Sequence, residues 1–177
     1  RKTMSLLGRL LLNLIAAIWR PAVGMMERTS IPIRIWPHDL DLNLHANNGR
    51  ILTISDVGRL DMAFRAGLMV KCIKRGWKPV VASTTVRYRK SLMPFRRYDL
   101  QSRVLTWDEK WVYFEHRFVR KGEVAVVIYV RGGFVGRNGV VPPAKINDLM
   151  GLNLEAPEHP EWLRQWQLAE NGMREAI

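Results

Sequence analysis

The apolar pattern between residues 48 and 135 changes period once, and that change limits the folds open to the chain. Ile51, Ile54, Val57, Leu60, Phe64 and Leu68 recur every three or four residues, which predicts a helix over about 48–66 with one buried face. Gly67 breaks it, and a second short helix runs to Lys74, ended by Gly76 and Pro79. Beyond this point the period is two. Residues 80–89, 98–108, 111–120 and 123–135 are rich in β-branched and aromatic side chains and read as four long strands. Short connections at 108–110 and 121–122 make the last three an antiparallel meander. Ahead of the helix, Ile31, Ile33 and Ile35 alternate around Pro32, a short strand with the proline near an edge. One strand, one long helix and four strands put a helix against one face of a curved antiparallel sheet, an α+β layout. Beyond Pro142 and Pro143, residues 145–150 and 162–171 supply a C-terminal helical appendage. A sheet with one covered face and an exposed edge needs a partner, so a homodimer or a dimer of dimers is expected.

With 177 residues the chain is the size of one domain. It divides into an apolar, basic N-terminal helix (1–24), a central domain (25–141) and a helical extension (142–177). Lys and Arg number 28 against 16 Asp and Glu, a net charge of +12 that favours an anionic partner such as nucleic acid, anionic lipid or a phosphorylated ligand. No RRM, KH, zinc-finger or helix-turn-helix signature accompanies the charge, so no nucleic-acid partner is expected. The one cysteine, Cys72, excludes an intrachain disulfide and a multi-thiolate zinc site. His38, His45, His116 and His159 form no HExxH, so no metal is expected, and a reducing cytoplasm is the default location.

The apolar run 6–19 is interrupted by Gly8, Arg9 and Asn13 and falls short of the ~20 residues that cross a bilayer. Following Arg1 and Lys2 it resembles a signal-peptide core, but Trp19, Arg20 and Pro21 make a poor cleavage site. It reads as a helix over 5–20 with Ser5 as cap, Pro21 as stop, and Leu6, Leu10, Leu14 and Ala17 on one side. Two roles stay open: a packing helix on the domain surface, or an interfacial helix in peripheral membrane contact, drawn to anionic lipid by Arg1, Lys2, Arg9 and Arg20.

The chemistry concentrates in the segment 38–48. Asp39, Asp41, Asn43 and His45 alternate with Leu40, Leu42, Leu44 and Ala46, and an extended backbone would put the polar groups on one side. On periodicity alone this is an amphipathic strand with a polar outer face. Its flank changes the reading, because Asn47 or Asn48 stands where a side chain caps the coming helix. The polar cluster is thereby aimed at a helix N-terminus, whose free N–H groups and positive dipole end stabilise an oxyanion.

The run DLDLNLHANN followed by GRILTISDVGR resembles the signature of hotdog-fold thioesterases of the 4-hydroxybenzoyl-CoA thioesterase-like group. Its D-x-N-x-H-x-N-N core is similar to that of plant acyl-ACP thioesterases. The stretch RYRKSLMPFRRYDLQSRVLTWDEKWVYFEHRFV also resembles a thioesterase-superfamily branch of animals and bacteria, and the similarity covers about 31–135. The resemblance implies the hotdog fold, in which a long helix is wrapped by a curved sheet, a dimer, no metal, and hydrolysis of an acyl thioester. Coenzyme A or acyl carrier protein would enter as part of the substrate and no separate cofactor is implied. It also implies that Asp41 is the catalytic carboxylate, Asn43 a positioning amide and His45 an imidazole at the site, with Asn47, Asn48 and Gly49 at the helix start. Asp56 and Arg59 match an acidic residue and an Arg on the helix of many relatives, and their i,i+3 spacing reads as a structural ion pair. Ile51 departs from the Tyr usual there.

Thioester hydrolysis needs a base or nucleophile, an oxyanion site and room for the acyl group; Asp41 serves as either base or nucleophile, and His45 or the helix N–H groups polarise the carbonyl. Arg87, Arg89 and Lys90, followed by Arg96 and Arg97, either meet coenzyme A phosphates or form a solvated basic face. Trp107, Trp111, Tyr113 and Phe114 read as core or dimer packing, and His116 and Cys72 as structural. A non-catalytic acyl- or lipid-binding protein is the competing function.

Overall fold

The change of period corresponds to a change of layer. In the computed structural model, which describes residues 6–175, the elements run α1 (Leu6–Trp19), β1 (Thr29–Arg34), α2 (Asn48–Arg65), α3 (Leu68–Lys74), β2 (Lys78–Tyr88), β3 (Arg97–Trp107), β4 (Val112–Arg120), β5 (Glu123–Gly136), β6 (Gly139–Val141), α4 (Pro143–Met150) and α5 (Glu161–Glu175). The α+β layout and the strand–helix–four-strand order of the sequence reading are borne out.

All strand pairs are antiparallel in the order β1-β3-β4-β5-β2, with β6 continuing along the end of β5. The meander β3-β4-β5 forms the centre of the sheet. β1 closes one side by placing Ile31 opposite Leu100, and β2 closes the other, leaving its outer edge unpaired among the described residues. α2 crosses the concave face, burying Ile51, Ile54 and Val57 among Leu100, Phe118, Val126, Ile128 and Val130. Gly58 sets how closely it lies, since a Cβ there would overlap Ser102 Oγ and Leu100. The helix stops before Gly67, whose φ of 73° lies in the left-handed region that glycine accepts.

Three details differ from the sequence reading. Pro79 lies inside β2 at the open edge, where its missing N–H removes no ladder bond, so the stop is at Gly76 alone. The short strand β6 follows β5 before the prolines. The convex face of the sheet is also covered. Leu163 of α5 is fully buried, Trp162 lies over Tyr129 with ring centroids 4.4 Å apart, and Trp166 meets Tyr113 edge-on. The chain leading into α5 is tied down as well, with Thr106 Oγ1 donating to the Pro157 carbonyl at 2.6 Å.

α1 packs along α2. Ala17 is buried, Arg20 is paired with Asp61, and Arg65 reaches the same carboxylate at 3.2 Å while donating from Nε to the Pro21 carbonyl. The expected cap Ser5 and the cations Arg1 and Lys2 lie outside the described residues. Arg20 is a packing residue, because Asp61 occupies it.

Candidate active site

The segment ahead of α2 is a folded turn and not a strand. A 3-10 turn over Pro37–Asp39 leads into a bridge between Leu40 and Ala46, and between them Leu44 N–H bonds the Asp41 carbonyl at 3.1 Å, closing a tight turn. Leu44 takes a φ of 58° to make it. The alternation therefore does not sort polar from apolar: Leu42 is fully exposed and Leu44 largely so, while Asp39 is fully buried. This overturns the extended, polar-outside reading. Backbone bonds account for it, since Ala46 N–H is held by the Leu92 carbonyl and Asn47 N–H by that of Asp39, at 2.9 and 2.7 Å.

The two aspartates have different surroundings. Asp39 Oδ2 accepts from Trp36 N–H at 2.9 Å, and its Oδ1 lies 3.5 Å from Arg50 Nε and 3.6 Å from His38 Nε2, so this buried carboxylate clamps the turn to the first turn of α2. Asp41 is partly exposed. Its Oδ1 accepts from Asn43 N–H at 2.9 Å and its Oδ2 lies 3.4 Å from His45 Nδ1. Carboxylate and imidazole are thus paired at the mouth of α2.

Asn43 contributes its main chain to that pair, and its exposed side chain points to no described partner. Asn47, not Asn48, is the cap: its Oδ1 accepts from Gly49 N–H at 2.9 Å. The Gly49 amide is consequently occupied, whereas the N–H groups of Asn48 and Arg50 have no acceptor in the chain among the described residues.

His45, Asn48 and Ile51 form one wall of an open cleft of about 330 Å³ whose other wall is Tyr88, Arg89, Lys90, Ser91 and Leu92. Of the three cations expected near phosphate, Arg89 and Lys90 lie here. Arg87 does not: it stands opposite Val127 on the convex side, whereas Tyr88, opposite the buried Val126, faces the cleft. Lys90 Nζ also meets Glu123 at 2.6 Å in an exposed pair. Sequence reasoning missed Tyr88, Ser91 and Leu92. The neighbouring basic run pointed to their segment, but the Leu92 anchor is a main-chain contact that leaves no residue-type signal.

Further along α2, a second cleft lies between Leu52, Asp56 and Arg59 on the helix and Val81 and Thr84 on β2, and Arg59 also borders an apolar cavity lined by Leu60, Ala63, Leu68, Met69, Val80 and Phe114. Phe114 packs against the core cluster, as read, and also lines this cavity. Asp56 and Arg59 form the expected ion pair at 2.8 Å. His116 is fully buried with Nδ1 2.8 Å from Ser102 Oγ, and burial, helped by the charge of Arg59, pulls its pKa down to about 3, so it stays neutral. Burial pushes the Cys72 thiol up to about 11, which leaves it unreactive. Both match their structural reading. Among the described residues no group of His, Cys, Asp and Glu is arranged to hold a metal ion.

Residues 35–167 match the model of a family described as the thioesterase-like superfamily. The protein THEM6 of Xenopus laevis is 34% identical over 75% of this chain, and the chain spans 63% of that protein's length. A probable thioesterase of Saccharomyces cerevisiae is 30% identical over 57% of this chain and 45% of its own. Among solved structures, the YbaW probable thioesterase of Escherichia coli superposes with a TM-score of 0.61 at 16% identity, covering 71% of this chain and 96% of the other. The family match reaches from the last buried isoleucine of the β1 segment into α5, and over that span the chain belongs to the thioesterase-like superfamily and has the hotdog fold.

Proposed function

We propose that the protein hydrolyses an acyl thioester of coenzyme A or acyl carrier protein to the free acid and thiol, with Asp41 as base or nucleophile. Family membership supports the reaction class. The observation that carries the site is the Asp41–His45 pair at the mouth of α2, beside two unoccupied helix amides and a cleft bordered by Arg89 and Lys90. Asp41 activates water or attacks the thioester carbon directly, since a carboxylate serves for both. The developing oxyanion is met by the N–H groups of Asn48 and Arg50 at the positive end of the helix. His45 borders the cleft and keeps Nδ1 3.4 Å from the carboxylate. Arg89 and Lys90 suit the phosphates of coenzyme A or of a phosphopantetheine arm. The acyl group follows the groove between α2 and β2 toward the apolar cavity beyond Arg59.

The unpaired edge of β2, eleven residues long, supports a homodimer formed through this strand, because a long open edge is a template for pairing. Light scattering at about twice 20.5 kDa is the expected result.

The deciding experiment is a panel of acyl-CoA and acyl carrier protein thioesters with release of thiol as readout, run on wild type and Asp41→Asn. Thiol release that Asp41→Asn abolishes supports the reading. Tight binding of acyl-CoA without turnover in the wild type would replace it with a non-catalytic acyl-binding role.

A further inference from the structure

α1 uses one face and leaves the other bare. Leu11, Leu12, Ile15, Ile18 and Trp19 are each more than half exposed, Trp19 at 86%, and their spacing puts them on a single helical stripe. The opposite face is fixed by buried Ala17 and by Arg20 on Asp61, so the stripe is a fixed outer surface of the fold.

A second apolar pair stands nearby. Val23 N–H bonds the Arg65 carbonyl, Arg65 holds Pro21, and α3 begins three residues after α2 ends, so the end of α1 and the start of α3 meet at the last turn of α2. On α3, Val70 and Ile73 are exposed at 47% and 60%, with Lys71, Lys74, Arg75 and Lys78 exposed around them. The charge is segregated in the same way. Residues 1–26 carry four Lys and Arg and residues 62–98 carry ten, and neither stretch contains an Asp or Glu. Asp61, the carboxylate that anchors α1, is buried under two arginines.

We propose that this end of the molecule, the outer stripe of α1 with α3, docks in the plane of an anionic phospholipid bilayer. Exposed apolar side chains beside the exposed cations Lys71, Lys74, Arg75 and Lys78 are complementary to acyl chains under a negative headgroup layer. A second copy of the chain fits less well, because a symmetric contact would bring the same cations face to face. Among the described residues no helix is long and apolar enough to cross a membrane. The apolar cavity beneath α2 is walled by Leu68 and Met69 of α3, by Ala63 and Ala66 at the end of α2 and by Met25 in the segment after α1, so docking sets the acyl end of the groove toward the lipid side. The docking surface stands independently of the role of Asp41.

The test is sedimentation of the full chain with vesicles of phosphatidylcholine alone and of phosphatidylcholine with phosphatidylglycerol. Partitioning should be about 25-fold stronger on the anionic vesicles, as two cations at about fivefold each give, and should weaken with salt. Ile15→Glu with Ile18→Glu should lower it about tenfold or more, whereas Leu168→Glu, equally exposed on α5, should leave it unchanged. Lys71→Glu with Lys74→Glu tests the charge without touching α1. Equal partitioning on neutral and anionic vesicles, or wild-type partitioning of either double variant, overturns the proposal. So does a drop in the mass seen by light scattering for Ile15→Glu with Ile18→Glu at undiminished vesicle binding, which would assign the stripe to a second copy.

Discussion

The two ends of α2 are built for opposite purposes. At its N-terminus the chain is held largely by main-chain bonds, Ala46 to Leu92 and Asn47 to Asp39, and the side chains proposed for catalysis, Asp41 and His45, stand partly in solvent. At its C-terminus the groups are buried and mutually satisfied: Asp61 takes both Arg20 and Arg65, and the space beneath is apolar. A carboxylate shut in with two guanidiniums has no freedom to react, and one lying beside an imidazole at a helix mouth does. Burial and partners therefore separate Asp41, in the turn ahead of α2, from Asp61 near the end of the helix.

The sharpest way to break this comparison is to neutralise one aspartate at a time. Asp41→Asn keeps the shape of the side chain and removes its charge, so turnover should fall about a thousandfold while circular dichroism and the melting point stay unchanged. Asp61→Asn should do the reverse, lowering the free energy of unfolding by about 3 kcal/mol, because two arginines lose their buried partner. Urea unfolding gives the first number and turnover per folded molecule should hold. If Asp61→Asn abolished turnover at unchanged stability, the division of labour between the two ends would be wrong.

His45→Ala refines the open end. It removes the imidazole 3.4 Å from Asp41 but leaves the amides of Asn48 and Arg50 in place, so the loss should be about a hundredfold at most and fall on kcat. A loss equal to that of Asp41→Asn would make the pair a single unit. Asp39→Asn is no silent control for these variants: the carboxylate is buried against Trp36 N–H and Arg50, and its neutralisation loosens the turn itself.

How much of this was legible in the sequence follows from which contacts are local. Period and punctuation placed α2, α3 and the four long strands to within a few residues, since those signals come from neighbours on one element. The cap at Asn47 was narrowed to two residues for the same reason. The turn at 40–46 was not legible: its alternation mimics a strand, the bonds that close it are main-chain bonds that leave no residue-type signal, and the one that anchors it comes from Leu92, far along the chain. The cover of the convex face by α5 was hidden likewise, since Trp162 and Trp166 show no sign in sequence that Tyr129 and Tyr113 are their partners. Asp41 was singled out by resemblance, and what the structure adds is the contrast with Asp39, which alternation had placed on the same side.

The smallest expected effects lie at the cations of the cleft, and they test whether the open end recognises a phosphorylated carrier at all. Arg89 and Lys90 border the cleft and Arg87, two residues earlier on the strand, faces the other side of the sheet. Exposed cations act at a distance through water, and Lys90 is already shared with Glu123, so each alanine substitution should raise KM for an acyl-CoA by about threefold to fivefold with kcat unchanged. The effect should vanish in about 1 M salt, where the Debye length shrinks to about 3 Å. It should also vanish on a short thioester without phosphates, because the cations would then have nothing to meet. Arg87→Ala has the same charge change and should leave KM alone. Should Arg87→Ala raise KM as much as Arg89→Ala, the cations would be acting as a diffuse field of the +12 chain and the cleft would lose its claim as the carrier's seat.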